Sequence, residues 1–143
     1  MPKRYSLSEF ESKELLQSYG IKITKDAIVN SADEAIEQSE IIGYPVVLKI
    51  SGAEFSHKTE LNGVKLNLGN ETSVRDAVAD LYKSVDGQTP LLISEQVKSS
   101  REFIAGVTRN DEYGLVLAFG AGGIFTEIIK DVVFRLLPAS REE

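Results

Sequence analysis

His57 is the only histidine in 143 residues, and it stands beside Lys58 in a stretch entered from the apolar run PVVLKIS, which carries Lys49. A neutral imidazole can accept a phosphoryl group and hand it on. An ammonium at the end of a rigid strand can reach into a cleft and neutralise phosphate charge. Glu95 and Glu102 flank two later strand-like runs, and carboxylates in such places can hold Mg²⁺ or a ribose hydroxyl. Gly120, Gly122 and Gly123 make a sterically open turn that can bring backbone N–H groups close to an anion. As a set, these residues suit the handling of phosphate on a nucleotide. Singly, each has a plainer alternative: a solvated strand-end lysine, a surface histidine, exposed positions on adjacent strands, a common glycine turn. The glycine run matches neither the P-loop nor the dinucleotide fingerprint.

Composition narrows the class. The chain is long enough for one domain, or two small lobes, that bury roughly 70% of the extended surface without covalent staples. It has no cysteine, which excludes a disulfide scaffold and thiolate metal sites, and one histidine cannot supply a structural zinc site. A formal net charge of -6 with mixed signs along the chain argues against nucleic acid as a partner, which needs a basic face. No run approaches the roughly 18 apolar residues that span a bilayer, so no membrane partner is expected. The segment MPKRYSLSEFESKELL lacks the apolar core of a secretory signal, and a cytoplasmic location is expected.

The elements that must position these residues can be placed by pattern. A helix is predicted over 8–18, with Ser8 and Glu11 as a capping box, Gly20 as its left-handed stop, and Phe10, Leu15, Leu16 and Tyr19 as its buried side. Residues 21–30 look extended. A second helix begins at Ser31, with Glu34 at the capping-box position, and ends at Gly43. PVVLKIS then reads as a strand bounded by turn residues. A third helix over 72–86 places Val74, Ala77, Val78, Leu81, Tyr82 and Val85 on one face. Strands are predicted at 91–97, 102–109, 114–120 and 132–137, with Asn110-Asp111-Glu112 and Gly114 turning a hairpin. Helices alternating with strands, then consecutive strands, give an α+β or α/β class. There is no repeat, low-complexity segment or long linker.

In their order these segments resemble the ATP-grasp domain (beta subunit type) of NDP-forming acyl-CoA synthetases, the ADP-forming acetate–CoA ligases. SEFESKELLQSYGIKI resembles that family's opening helix, and SADEAIEQSEIIGYPVVLKI its second helix and lysine strand. SHKTELNGVKLNL resembles its histidine loop, SEQVKSSREFIAGVTRNDEYG its hinge and first large-lobe strands, and FGAGGIFTEIIKDVVFRLLP its glycine turn. The likeness runs over nearly the whole chain.

The resemblance implies an ATP-grasp fold with a small lobe at about 20–95 and the start of a large lobe at about 96–143. It implies an enzyme part that makes ATP from acyl-CoA, ADP and phosphate, or runs in reverse, through a phosphohistidine relay. His57 would be the catalytic phosphate carrier and Lys49 would contact the nucleotide phosphates. Glu95, Gln96 and Val97 would hold adenine, largely through backbone groups, and Glu102 would assist at the nucleotide. Glu127 and Arg135 fall in matching motifs. ATP/ADP and Mg²⁺ are the implied cofactors. A CoA-binding alpha subunit or domain, carrying the acyl-CoA or carboxylate, is the implied partner.

Two local departures stand out. The loop reads His57-Lys58-Thr59-Glu60-Leu61-Asn62-Gly63, where the family usually has aspartate fourth and glycine sixth, and Asn-Asp follows Arg109 where Asp-Pro is usual. The family's domain continues through an Asp-x-Asn-Pro type magnesium segment. Its main Mg²⁺ ligands are therefore expected outside these 143 residues, with an association-prone large lobe and weak or no nucleotide binding by the chain alone. A non-catalytic remnant or interaction domain, and a succinate–CoA ligase beta-like chain, are the alternatives.

Overall fold

A computed structural model of the chain describes residues 7–51, 63–98, 101–122 and 132–140. The chain divides into two compact units, Met1–Val97 and Lys98–Glu143.

The first unit runs α1 (Glu9–Ser18), β1 (Asp26–Val29), α2 (Ala32–Ile42), β2 (Val46–Ile50), β3 (Val64–Leu68), α3 (Glu71–Ser84) and β4 (Leu91–Glu95). Its strands form one antiparallel sheet in the order β1-β4-β2-β3. Register aligns Leu48 with Ile93 and Ile50 with Leu91, so these side chains share a face with Val46. Against that face lie Ala35 of α2 and Val74, Ala77, Val78 and Leu81 of α3, all buried in one core cluster with Val29 and Leu68. The run PVVLKIS is strand rather than helix because both sheet faces are covered at its centre: Val46, Val47 and Leu48 are all buried. Burying each Val, Leu or Ile contributes about 1.5–3 kcal/mol.

The helix ends follow the capping residues. Ser8 and Glu11 form a complete capping box on α1, and Gly20 follows its last turn at φ 81, a conformation that favours glycine. Ser31 caps α2 by accepting from the Glu34 amide at 3.2 Å. The Glu34 carboxylate accepts from the backbone of Asn30 instead of closing the box on Ser31. For α3 the cap is Asn70, paired reciprocally with Ser73.

Two expectations are corrected. The apolar side assigned to α1 is not buried: Leu15, Leu16 and Tyr19 are 50%, 43% and 80% exposed, and Phe10 is half-buried. Polar contacts described below attach this helix to the sheet. The second correction is β3: the residues VKLNL, which close the segment resembling the histidine loop, form a strand of their own. It pairs with β2, but two steps along β2 from Val46 to Leu48 oppose three steps along β3 from Leu68 to Lys65. That bulge contains Asn67 at φ 59 and breaks the alternation that identifies a strand, leaving Leu66 exposed.

The second unit contains β5 (Phe103–Asn110), β6 (Gly114–Ala121) and β7 (Val132–Leu136) in an antiparallel sheet of order β5-β6-β7. Asn110 closes the β5–β6 hairpin as expected: its Oδ1 accepts from the amides of Glu112 and Tyr113, both at 2.9 Å. Phe103 and Phe119 stack at 5.6 Å between ring centroids. Phe103, Val107, Phe134 and Leu136 are among its exposed large apolar side chains.

Candidate functional site

The site begins at Lys49, on central strand β2. Its register partners are Leu92 and Val64, so it points away from the face that packs against α2 and α3. Asp26 shares the Lys49 face, since its partner Ser94 lies in register with Val47. Helix α1 lies over this side. Lys49 Nζ donates to Glu9 Oε1 at 2.6 Å, with the side chains 24% and 29% exposed. Lys13, one turn along α1, reaches the same Glu9 oxygen at 3.2 Å and Asp26 Oδ2 at 2.6 Å. Its ammonium also donates to Thr24 Oγ1 at 2.9 Å, and the Thr24 hydroxyl donates to Asp26 Oδ1 at 2.7 Å.

The result is a chain of alternating charge, Lys49–Glu9–Lys13–Asp26, running from β2 through α1 to β1. Burial raises the Glu9 carboxyl pKa, but the hydrogen bond and charge of Lys49, joined by Lys13, more than offset it and hold the group below its ordinary value. Ser94 Oγ, buried in the row between Asp26 and Val47, has no hydrogen-bond partner among the described residues.

The other sequence-selected residues are placed as follows. Glu95 ends β4 opposite Val46, so its register puts it on the face opposite Lys49, and its carboxylate accepts from the Lys25 amide at 3.3 Å. Gln96 follows with its amide donating to Pro45 O at 3.3 Å. The Gln96 side chain clips the β3 bulge: Oε1 accepts from the Asn67 amide and Nε2 donates to Asn67 Oδ1, each at 2.7 Å. Val97 is exposed and closes the first unit. Glu102 belongs to the second unit, where its carbonyl accepts from the Gly122 amide at 2.8 Å. A Cβ on Gly122 would meet the Glu102 and Phe103 backbone at 3.1 Å, so a side chain here would crowd that backbone. Arg135, on β7, donates to the Phe134 carbonyl at 2.8 Å. His57, Lys58, Gly123 and Glu127 lie outside the described residues.

The structure thus joins Lys49 to Glu9, Lys13 and Asp26, none of which stands out by residue type in the sequence. The i,i+4 spacing of Glu9 and Lys13 is visible in the sequence, but that spacing does not encode contacts with distant strands. A cavity of about 440 Å³ between α1, β1 and α2 is lined by Phe10, Lys13, Thr24, Asp26 and Ile41, among others, and not by Lys49. Among the described residues no group of three or more His, Cys, Asp or Glu could hold a metal ion, and no helix is long and apolar enough to cross a membrane.

Comparison with known proteins places this geometry in a family. The chain matches the ATP-grasp domain over residues 2–143. It belongs to the ATP-grasp family. Acetate–CoA ligase [ADP-forming] II of Archaeoglobus fulgidus is 41% identical over 137 residues, covering 96% of this ATP-grasp chain and 20% of that protein. The beta subunit of acetate–CoA ligase [ADP-forming] I of Pyrococcus furiosus is 36% identical, covering 96% of this chain and 62% of the subunit.

Among solved structures, the dinucleotide forming acetyl-coenzyme A synthetase 1 of Ca. Korarchaeum cryptofilum, in complex with coenzyme A and Ca-AMPCP, superimposes with a TM-score of 0.90. It is 37% identical, with 98% of this chain and 64% of that one covered. A second structure of the same synthetase holds coenzyme A and Mg-AMPPCP, with its phosphohistidine segment pointing towards the nucleotide binding site (TM-score 0.77, 36% identical, 94% and 58% covered). The fold is therefore a mixed helix-and-sheet ATP-grasp fold. The chain spans under two thirds of these relatives' lengths.

Proposed function

We propose that this chain is the nucleotide-handling part of an ADP-forming acyl-CoA synthetase, which interconverts acyl-CoA, ADP and phosphate with carboxylate, CoA and ATP. The observation that carries the proposal is 41% identity over 96% of the chain to an ADP-forming acetate–CoA ligase. A segment this similar across nearly its whole length supports the same division of labour, with a CoA-binding subunit or domain supplying the acyl chemistry.

Lys49 meets the nucleotide phosphates. It sits on β2, a strand paired on both edges, so its ammonium starts from a fixed root and neutralises charge where it develops. The backbone of Glu95, Gln96 and Val97 holds adenine, and Glu102 assists at the nucleotide. His57 carries the phosphoryl group: its P–N bond breaks as a β-phosphate oxygen of ADP forms the new P–O bond, and the ring, protonated on its other nitrogen, keeps the P–N electron pair and leaves as neutral imidazole. Mg²⁺ would offset charge on the phosphates when bound. The described residues supply no ligand cluster for it.

The test is ATP formation from acetyl-CoA, ADP and phosphate by the chain combined with a CoA-binding partner. The wild-type combination is expected to form ATP and His57→Asn to reduce it to background. Undiminished turnover by His57→Asn would remove the relay role. No turnover by the wild type, with that partner active on a complete ATP-grasp chain, would favour a non-catalytic interaction domain.

A further inference from the structure

We infer that Glu9 is a positioning residue for Lys49: the α1 carboxylate aims the β2 ammonium at the phosphate, a role separate from fastening α1 to the sheet. The inference rests on the assignment of Lys49 to nucleotide phosphate and deepens it.

A lysine side chain has a flexible four-carbon stem and three N–H donors on a strongly hydrated head. Left alone it samples many rotamers, and a phosphoryl transfer that depends on its charge loses rate with each misplaced ångström. Glu9 removes that freedom. It takes one N–H at 2.6 Å with both side chains about three-quarters buried, leaving two donors for an anion.

The carboxylate is itself held. Lys13 contacts it at 3.2 Å and is anchored at 2.6 Å to Asp26, whose side chain is only 3% exposed. Because α1 buries no residue, its seat on the sheet depends on this ionic chain rather than on an apolar stripe. A helix held in that way can move without opening the core cluster, which contains no α1 residue. A strand lysine held by a helix glutamate is also how protein kinases gate phosphoryl transfer.

Fastening α1 is the plainer role for Glu9, and it predicts differently. The Lys13–Asp26 pair already fastens the helix. A carboxylate placed on the phosphate lysine lowers the positive charge an incoming anion meets, which serves orientation rather than attraction. Loss of Glu9 should therefore spare ground-state affinity and damage the transfer step.

The experiment uses the chain assembled with its CoA-binding partner, and reads ADP affinity by calorimetry beside kcat and KM for ATP formation. Glu9→Gln is expected to change ADP affinity and KM less than threefold and to lower kcat at least tenfold. Glu9→Asp retains the charge and shortens its reach, and should show the same split, which covers the case in which Glu9→Gln does not fold. Lys13→Met should lower stability without selective loss of kcat. In a Lys49→Met background, Glu9→Gln should have no further effect, because it acts only through the lysine.

If Lys49→Met leaves ADP affinity and turnover intact, the assignment of Lys49 to phosphate fails. If Lys49→Met is damaging while Glu9→Gln and Glu9→Asp retain kcat, that assignment stands and the positioning role is overturned. Additive effects of Glu9→Gln and Lys49→Met would overturn it equally.

Discussion

Replacing Gln96 with leucine removes two hydrogen bonds at once, the pair at 2.7 Å that joins its side-chain amide to the backbone and side chain of Asn67. Asn67 stands at φ 59 in the β3 bulge, where asparagine is tolerated partly because its side chain can bond locally. A neutral hydrogen bond contributes about 0.5–1.5 kcal/mol net. Both bonds lie at the exposed rim, so the low end applies and Gln96→Leu should cost about 1 kcal/mol. For a unit the size of Met1–Val97 this lowers the melting midpoint by about 4–8 °C.

ADP affinity should respond differently. If adenine is held by the backbone of residues 95–97, the loss stays under about threefold, or roughly 0.7 kcal/mol. Thermal unfolding followed by circular dichroism, and a calorimetric ADP titration of the chain assembled with its CoA-binding partner, read the two quantities separately. Asn67→Gly keeps access to positive φ while deleting the amide, so in the Gln96→Leu background it should cost less than it does alone. Unchanged stability, or strictly additive losses, would refute the clip. A tenfold loss of ADP affinity at unchanged stability would put the Gln96 side chain itself on the nucleotide.

Glu9 sets a pH dependence. Its carboxyl titrates below the ordinary glutamate value in the folded chain, so it contributes stability above the unfolded value of about 4.3 that is lost as pH falls through the lowered folded value. Glu9→Gln should flatten the acid limb of the stability–pH curve below about pH 5, and an unchanged limb would contradict the ion chain. Ser94→Ala deletes a buried hydroxyl that has no partner among the described residues. Since an unpaired buried group costs about 1–3 kcal/mol, the variant should be as stable as wild type or up to about 1 kcal/mol more stable in urea denaturation. A loss above about 1 kcal/mol would show the hydroxyl to be satisfied.

Much of the architecture was legible because each signal was local. Ser8 with Glu11, and Val74 through Leu81 at helical spacing, predict two of the helices and the face that α3 buries. Asn110 predicts the β5–β6 hairpin by offering its side chain to the turn amides. β3 was not legible, because the bulge at Asn67 removes the period of two on which strand recognition depends. The exposure of the α1 apolar residues is hidden from the sequence for a related reason. Its apolar residues suggest a packed face, while Glu9 and Lys13 reach partners on β2 and β1 that no local pattern encodes. Of the candidate site, Lys49 could be selected by residue type, but the carboxylate that holds it could not, since the two are separated by 40 residues in the chain.

The most direct test of the phosphate-relay account is mass spectrometry of His57 after the chain is incubated with Mg-ATP and a cognate CoA-binding partner. An acid-labile phosphate on His57, absent when ATP is omitted, is the predicted result. An unlabelled His57, with the same partner shown to be active on a complete ATP-grasp chain, would contradict the role assigned to it.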